Sequence, residues 1–594
     1  MDIQNFYRGD EFEAYRFLGA HFGDGYTTFR TFAPGAVRIS VIGDFNGWNE
    51  TPMGKVQDGN FWECTIKDAD PGMMYKYRIY KKDGSCTDHV DPYGFFSEKR
   101  PGHASIIATL DSDIFTDKKW LDSRGNHYDK PINMYEMHFG SWRKKDEDTC
   151  YSYDELAEVL IPYLKKNGYN YVELMPLNEY PADESWGYQG TGFFSPTSRY
   201  GNPDGLRRFI NKCHENDIGV IMDFIAVHFA VDDYALRNYD GTALYEYPNA
   251  AVGYNEWGSC NFMHSRGEVR SFLQSAAYYW LKEFHFDGLR FDAVSNLIYW
   301  QGNVNRGENK PATDFLKGMN NGLKERIPDI MLIAEDSSSY PRVTQPAWAN
   351  GLGFDYKWDM GWMNDTLDYF RLPPDKRTEK YHMLTFSMMY YHSERFILPF
   401  SHDENVHGKA TIIQKMNGQY EQKFPQARAL YLYMMTHPGK KLNFMGGEIG
   451  QFREWDETRE QDWDILHYPL HDAFRRYMKE LNEIYIKNPA LWENDYRDEG
   501  FQWIDCHCEQ KCVYVYKRCG GGQTVAAVFN FSDRNADYSL HIENASKLRL
   551  LIDTDNQIYG GNTVPDAELK LQDGTVNMVL SPFSGRLYQI AFQT

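Results

Sequence analysis

Acidic residues recur at the ends of several short apolar runs in this sequence. Asp223 and His228 lie in and just after GVIMDFIAV (219–227), and Arg290 and Asp292 lie within FDGLRFDAV (286–294). Glu335 and Asp336 end DIMLIAED (329–336), and His402 and Asp403 end RFILPFSHD (395–403). One acid after a strand is ordinarily a helix cap or a solvated loop group, but repetition over separate runs points to a shared site. Arg290 and Asp292 are two residues apart, so on a strand both leave one face, where the guanidinium favours the ionised carboxylate. An ionised, desolvated carboxylate can act as a nucleophile. Glu335, in an apolar run and near other carboxylates, is the candidate proton donor, because burial disfavours the charged form. Two such carboxyls about 5 Å apart are what retaining glycoside chemistry requires. Asp336 falls on the opposite pleat and is expected against the wall of the fold.

Sugar chemistry also needs groups that hold ring hydroxyls and a surface on which a ring can stack. His228, His402 and Asp403 suit the first task, and Tyr188 or Trp186 in ESWGYQGTG the second. No metal and no cofactor is expected. The histidines lack HxxxH or HExxH spacing, and Cys506, Cys508, Cys512 and Cys519 match no common zinc pattern. GGG at 520–522 reads as a hairpin turn, and GGE at 446–448 precedes no Lys-Ser/Thr pair that would mark a phosphate loop.

The elements that must position these residues follow from periodicity. Besides the four runs above, INMYEMHF (132–139), YNYVELMPL (169–177), GFDYKWDM (353–360) and KKLNFMGGE (440–448) have strand length and character. Helical stretches separate them. SYDELAEVLIPYLKKNG opens with a capping box, Ser152 with Glu155, and ends on Gly168. GEVRSFLQSAAYYWLKEF carries Val269, Phe272, Leu273, Ala276, Tyr279 and Trp280 on one stripe. Eight strands alternating with helices predict an α/β fold, a closed (β/α)8 TIM barrel, with a doubly wound open sheet as the alternative. Short alternating strands before and after predict an N-terminal β-sandwich (1–115) and a C-terminal all-β domain (489–594) around a barrel at 116–488.

The composition narrows the partners. With 63 Lys+Arg against 84 Asp+Glu the net charge is −21, which disfavours nucleic acid and anionic membrane surfaces. Aromatics make up 16% of the chain and suit amphipathic ligands such as sugars; Trp48 and Trp62 join Trp186 and Tyr188 as candidate platforms. The start of the sequence shows no apolar signal segment, no run is long enough for a membrane span, and nine irregularly spaced cysteines read as reduced thiols. A cytoplasmic monomer is expected.

DFIAVH, GLRFDAV, IAED and FSHDEN together resemble the four ordered regions of the α-amylase superfamily. Longer stretches, among them YEMHFGSW, WGYQGTGFFSPTSRYG, IAEDSSSYPRVTQP, HDENVHGK and HPGKKLNFMGGEIGQFREWD, are similar to the 1,4-α-glucan branching enzymes, and GDFNGWN looks like the family-48 carbohydrate-binding module. The resemblance implies cleavage of an α-1,4 bond and transfer of the chain to a 6-hydroxyl, giving an α-1,6 branch in glycogen, amylose or maltooligosaccharides, without metal or cofactor. It implies Asp292 as nucleophile, Glu335 as acid and base, and Asp403 as a third carboxylate gripping the donor sugar. Arg290, Asp223, His228, His402 and Tyr188 match donor-site positions. Val227, Gly190 and Asn405 depart from the family pattern.

Overall fold

The computed structural model describes residues 1–110 and 113–593. Eight strands close into a barrel: β1 (Asn133–Met137), β2 (Tyr171–Leu174), β3 (Gly219–Phe224), β4 (Gly288–Phe291), β5 (Met331–Ala334), β6 (Tyr356–Trp358), β7 (Phe396–Phe400) and β8 (Lys440–Phe444). Each falls inside one of the eight runs read from the sequence, and closure replaces the open-sheet alternative. All eight are buried along their length, which is why most of them read as apolar runs without alternation; β8 is buried too although it carries Lys440, Lys441 and Asn443.

The expected helix ends are present. In the helix Tyr153–Lys166, Glu155 accepts from the Ser152 backbone N–H at 2.9 Å, and the Glu155 N–H donates to Ser152 Oγ at 3.3 Å. The helix Gly267–Glu283 differs from its expected single stripe. Ser271, Gln274 and Ser275 on its other side are buried as well, because the N-terminal segment covers them. Ser271 Oγ donates to the Phe6 carbonyl at 2.9 Å, and Gln274 Nε2 donates to that of Gly9 at 2.8 Å. Small polar side chains there serve chain-to-chain bonding, so no apolar periodicity could announce it.

Contacts gather the described residues into two compact units. The first comprises 1–125, 138–160 and 173–355, the second 126–137, 161–172 and 356–594. In the first, residues 19–89 form two antiparallel sheets, Gly19–Gly23, Tyr26–Phe32, Phe61–Lys67 and Gly54–Val56 in one, Thr51–Pro52, Arg38–Gly43, Met74–Tyr80 and Cys86–His89 in the other. Trp62 is only 4% exposed and donates its indole N–H to the Ala33 carbonyl, so it is core and not a sugar platform. Phe61 beside it is buried as well, so both faces of the strand are covered where it begins, a placement composition cannot reveal. Trp48 is 38% exposed.

The second unit ends in a six-stranded antiparallel sheet and a two-stranded one. The glycine turn is a hairpin, as read: Gly521 and Gly522 have φ of +56° and +71° between Val513–Gly520 and Gln523–Asn530, both positive as a type I′ turn demands. Glu568–Lys570 is the edge strand of the larger sheet, and Thr575–Leu580 pairs with Ala536–His541 in the smaller one. Among the described residues no helix is long and apolar enough to cross a membrane.

Candidate active site

Strand register builds the first half of the site. β3 and β4 pair Asp223 with Arg290, and β4 and β5 pair Phe291 with Ala334. Asp292 and Glu335 therefore leave neighbouring strands at one level, at the C-terminal ends where barrels carry function. Arg290, fully buried, is the hub. Its Nη1 donates to Asp223 Oδ2 at 2.8 Å and to Asp292 Oδ1 at 3.0 Å, and its Nη2 donates to Glu335 Oε2 at 2.7 Å. Burial alone would lower the guanidinium; Asp223, then Glu335, Tyr188 and Asp292 outweigh it and hold Arg290 well above its usual value. Asp223 is buried too, whereas the side chains of Asp292 and Glu335 keep 15% and 14% exposure, enough to be reached.

Sequence reasoning assigned the guanidinium to Asp292 alone. The structure shares it three ways, because a planar fork can serve several oxygens where a lysine would serve fewer. Glu335 Oε2 also accepts from the Ala293 N–H at 3.0 Å, so this oxygen has two donors, Arg290 and the Ala293 backbone. Ala293 has φ +47°, a left-handed conformation unfavourable for a Cβ-bearing residue, directly after Asp292. That turn aims the N–H at Glu335, and the Val294 N–H bonds the Glu335 carbonyl at 2.8 Å.

Tyr188 donates to Asp223 Oδ2 at 2.6 Å, fixing its ring. Trp186, two residues earlier, is half-buried in a left-handed turn with φ +55°. His228 is buried, and burial pushes it down to about 4, so the ring is neutral at pH 7. Ser259 Oγ donates to Asn255 Oδ1 at 2.9 Å and thus accepts from His228 Nδ1 at 3.0 Å, leaving Nε2 as an acceptor for a hydroxyl. Gly190 has a local reason: a Cβ there would lie 2.4 Å from Asn178 Nδ2.

In the second unit, Asp403 follows β7 in a short 3-10 turn with its side chain 40% exposed. His402 is held by Glu136 of β1, which accepts from the ring Nδ1 at 2.5 Å and from the His402 backbone N–H at 2.9 Å. Glu136 is the residue sequence reasoning missed. It sits fully buried inside YEMHF, and a charge in an apolar strand run was the signal that could have found it. Asn405 is explained by the turn: its Nδ2 donates to the Ser401 carbonyl at 2.8 Å and its Oδ1 accepts from the Ile412 N–H at 3.4 Å, bonds an apolar side chain could not make. Asp336 is buried, as its pleat implied, and accepts from the Ser338 N–H at 2.9 Å.

A closed parallel barrel with an arginine shared by carboxylates at its strand ends defines a glycosidic-bond enzyme of the α-amylase type. The alpha amylase catalytic domain family matches residues 156–241 and 256–530, carbohydrate-binding module 48 (isoamylase N-terminal domain) residues 17–94, and the alpha amylase C-terminal all-beta domain residues 503–590. The chain is 45% identical to the 1,4-alpha-glucan branching enzyme GlgB of Fusobacterium nucleatum, covering 95% of this chain and 93% of that one. It is 41% identical to the enzyme of the same name from Geobacillus stearothermophilus, covering 99% and 93%. It belongs to the 1,4-α-glucan branching enzymes. The fold extends to remote structures, such as a pullulanase from Anoxybacillus sp. LM18-11 complexed with maltotetraose (TM-score 0.73, 18% identity, 96% and 87% coverage).

Proposed function

We propose that this branching enzyme works by double displacement on an α-glucan such as glycogen, amylose or a maltooligosaccharide. Asp292 attacks the anomeric carbon while Glu335 gives its proton to the departing glycosidic oxygen, so the C–O bond of the α-1,4 linkage breaks as the glycosyl–Asp292 ester forms. Glu335, now ionised, takes the proton of an acceptor 6-hydroxyl, whose oxygen displaces Asp292 and makes the α-1,6 branch. Asp403 grips the donor sugar, with His228, His402, Tyr188 and Trp186 supplying hydroxyl and ring contacts. The observation that carries this reading is the Arg290 fork, which holds Asp223, Asp292 and Glu335 together while Asp292 and Glu335 stay partly exposed.

Nine free cysteines support a reducing, cytoplasmic setting, and action as a monomer belongs to the same reading. Module boundaries near 115 and 488 fit the short helix Lys118–Leu121 and the end of the helix Pro469–Lys487. The test is amylose alone as substrate. New α-1,6 signals in proton NMR with few new reducing ends are expected; steady release of reducing ends without those signals would make the protein a hydrolase.

A further inference from the structure

We propose that His382, His507 and Glu509 form a binding site for a borderline divalent metal ion such as Zn2+, tying the segment before β7 to the first hairpin of the C-terminal sheet. His382 Nε2 lies 3.3 Å from Glu509 Oε1, and His507 Nδ1 lies 3.9 Å from the same oxygen. The three donor atoms all lie within 4.8 Å of one another. Tetrahedral bonds of 2.0–2.2 Å put donors about 3.3 Å apart, so small side-chain rotations complete the set. Two imidazoles and one carboxylate, with an open fourth position, are a donor set for Zn2+ and not for Ca2+ or Mg2+, which take oxygen ligands.

An outer-shell partner orients the first ligand. Thr385 Oγ1 donates to the His382 carbonyl at 3.3 Å and lies 3.0 Å from His382 Nδ1. This contact holds the ring with Nε2 turned toward Glu509, as the outer-shell partners of metal-ligating histidines do.

The ligands are preplaced by the buried groups beneath them. Tyr381, next to His382, stacks on Tyr514 with ring centroids 4.0 Å apart at 7°, and its hydroxyl donates to the Val513 carbonyl at 2.6 Å. The same hydroxyl accepts from the Cys508 N–H at 3.4 Å. The His507 N–H donates to Asp505 Oδ1 at 3.0 Å, and Asp505 Oδ2 accepts from Tyr538 at 3.0 Å.

Full-length protein, stripped with chelator, is titrated with Zn2+ by calorimetry and with Co2+ by visible absorption. One site per chain, tetrahedral-type Co2+ bands, and at least tenfold weaker binding in His382→Ala, His507→Ala and Glu509→Gln are expected, with His541→Ala, a surface histidine outside the set, unchanged. Zn2+ should also raise the Tm of the parent and not that of His382→Ala. The proposal is overturned if no saturable site appears, if the three variants bind as the parent does, or if binding disappears instead in Cys506→Ser or Cys508→Ser.

Discussion

The two ends of β4 are both networks of buried charge, and they are built differently. At the C-terminal end one guanidinium, charged at any working pH, binds three carboxylates, two of which stay partly exposed. At the N-terminal end Asp287 and Asp117 hold the imidazole of His214 from both sides, Nε2 to Asp287 at 3.0 Å and Nδ1 to Asp117 at 2.7 Å, with every member buried. Trp120 donates to Asp287 Oδ1 at 2.8 Å and the Val220 N–H donates to Oδ2 at 2.7 Å. The upper network keeps two of its carboxylates partly exposed, within reach of a substrate; the lower one spends both imidazole nitrogens on the fold. Function at the C-terminal face and stability at the other is the division expected of a barrel, and here a single four-residue strand carries both.

That division can be broken by substitution. Asp292→Asn and Glu335→Gln should each lower branching at least about a thousandfold while Tm moves little, because each leaves Arg290 with two carboxylates. Turnover on amylose, set beside thermal melts of the same samples, checks it; residual activity within tenfold of the parent would mean the roles belong to other residues. Asp287→Asn should do the reverse. Removing one partner of a buried ion pair costs about 3–5 kcal/mol, so Tm should drop by several degrees while kcat at a permissive temperature stays within about twofold. A large loss of kcat in the folded variant would erase the distinction between the two ends.

The sequence made the upper network legible and left the lower one silent, for a physical reason. Asp223, Arg290, Asp292 and Glu335 interrupt apolar strand runs, where a charge needs explaining, and parallel register then aligns them. Asp117 lies in a segment without period, and His214 near the end of the helix Pro203–Glu215, where a basic residue is already accounted for by the helix dipole. Their meeting is a property of tertiary packing, as is the approach of Glu136 to His402. Trp62 is core for the same reason: the exposure of an aromatic depends on what packs over its strand, and composition does not say. The eight strands, by contrast, were legible because burial on both faces writes itself into consecutive residues.

The smallest predicted effect separates the two ends by pH. Burial alone would lower His214; the charge of Asp287, then the bond to Asp117, outweigh it and raise the imidazole to about 9 from an ordinary 6.5. A group with a raised folded value contributes its full stabilisation below the unfolded value, and loses it as pH climbs through the folded one. The contribution, on the order of 3 kcal/mol, should therefore be whole below about 6.5 and gone above about 9. Asp117 is shifted the opposite way: the bonds from His214 and then His285 overcome its burial and lower it, so its share persists at neutral pH and is lost only in acid. Melting curves from pH 6 to 9.5 should show Tm falling across that range in the parent, and a flatter profile from a lower start in His214→Gln. Arg290 has no proton to lose there, so Asp292→Asn should keep the parental slope. Equal slopes in the parent and in His214→Gln would mean that this imidazole is not the group titrating, and that the lower network holds the barrel by packing alone.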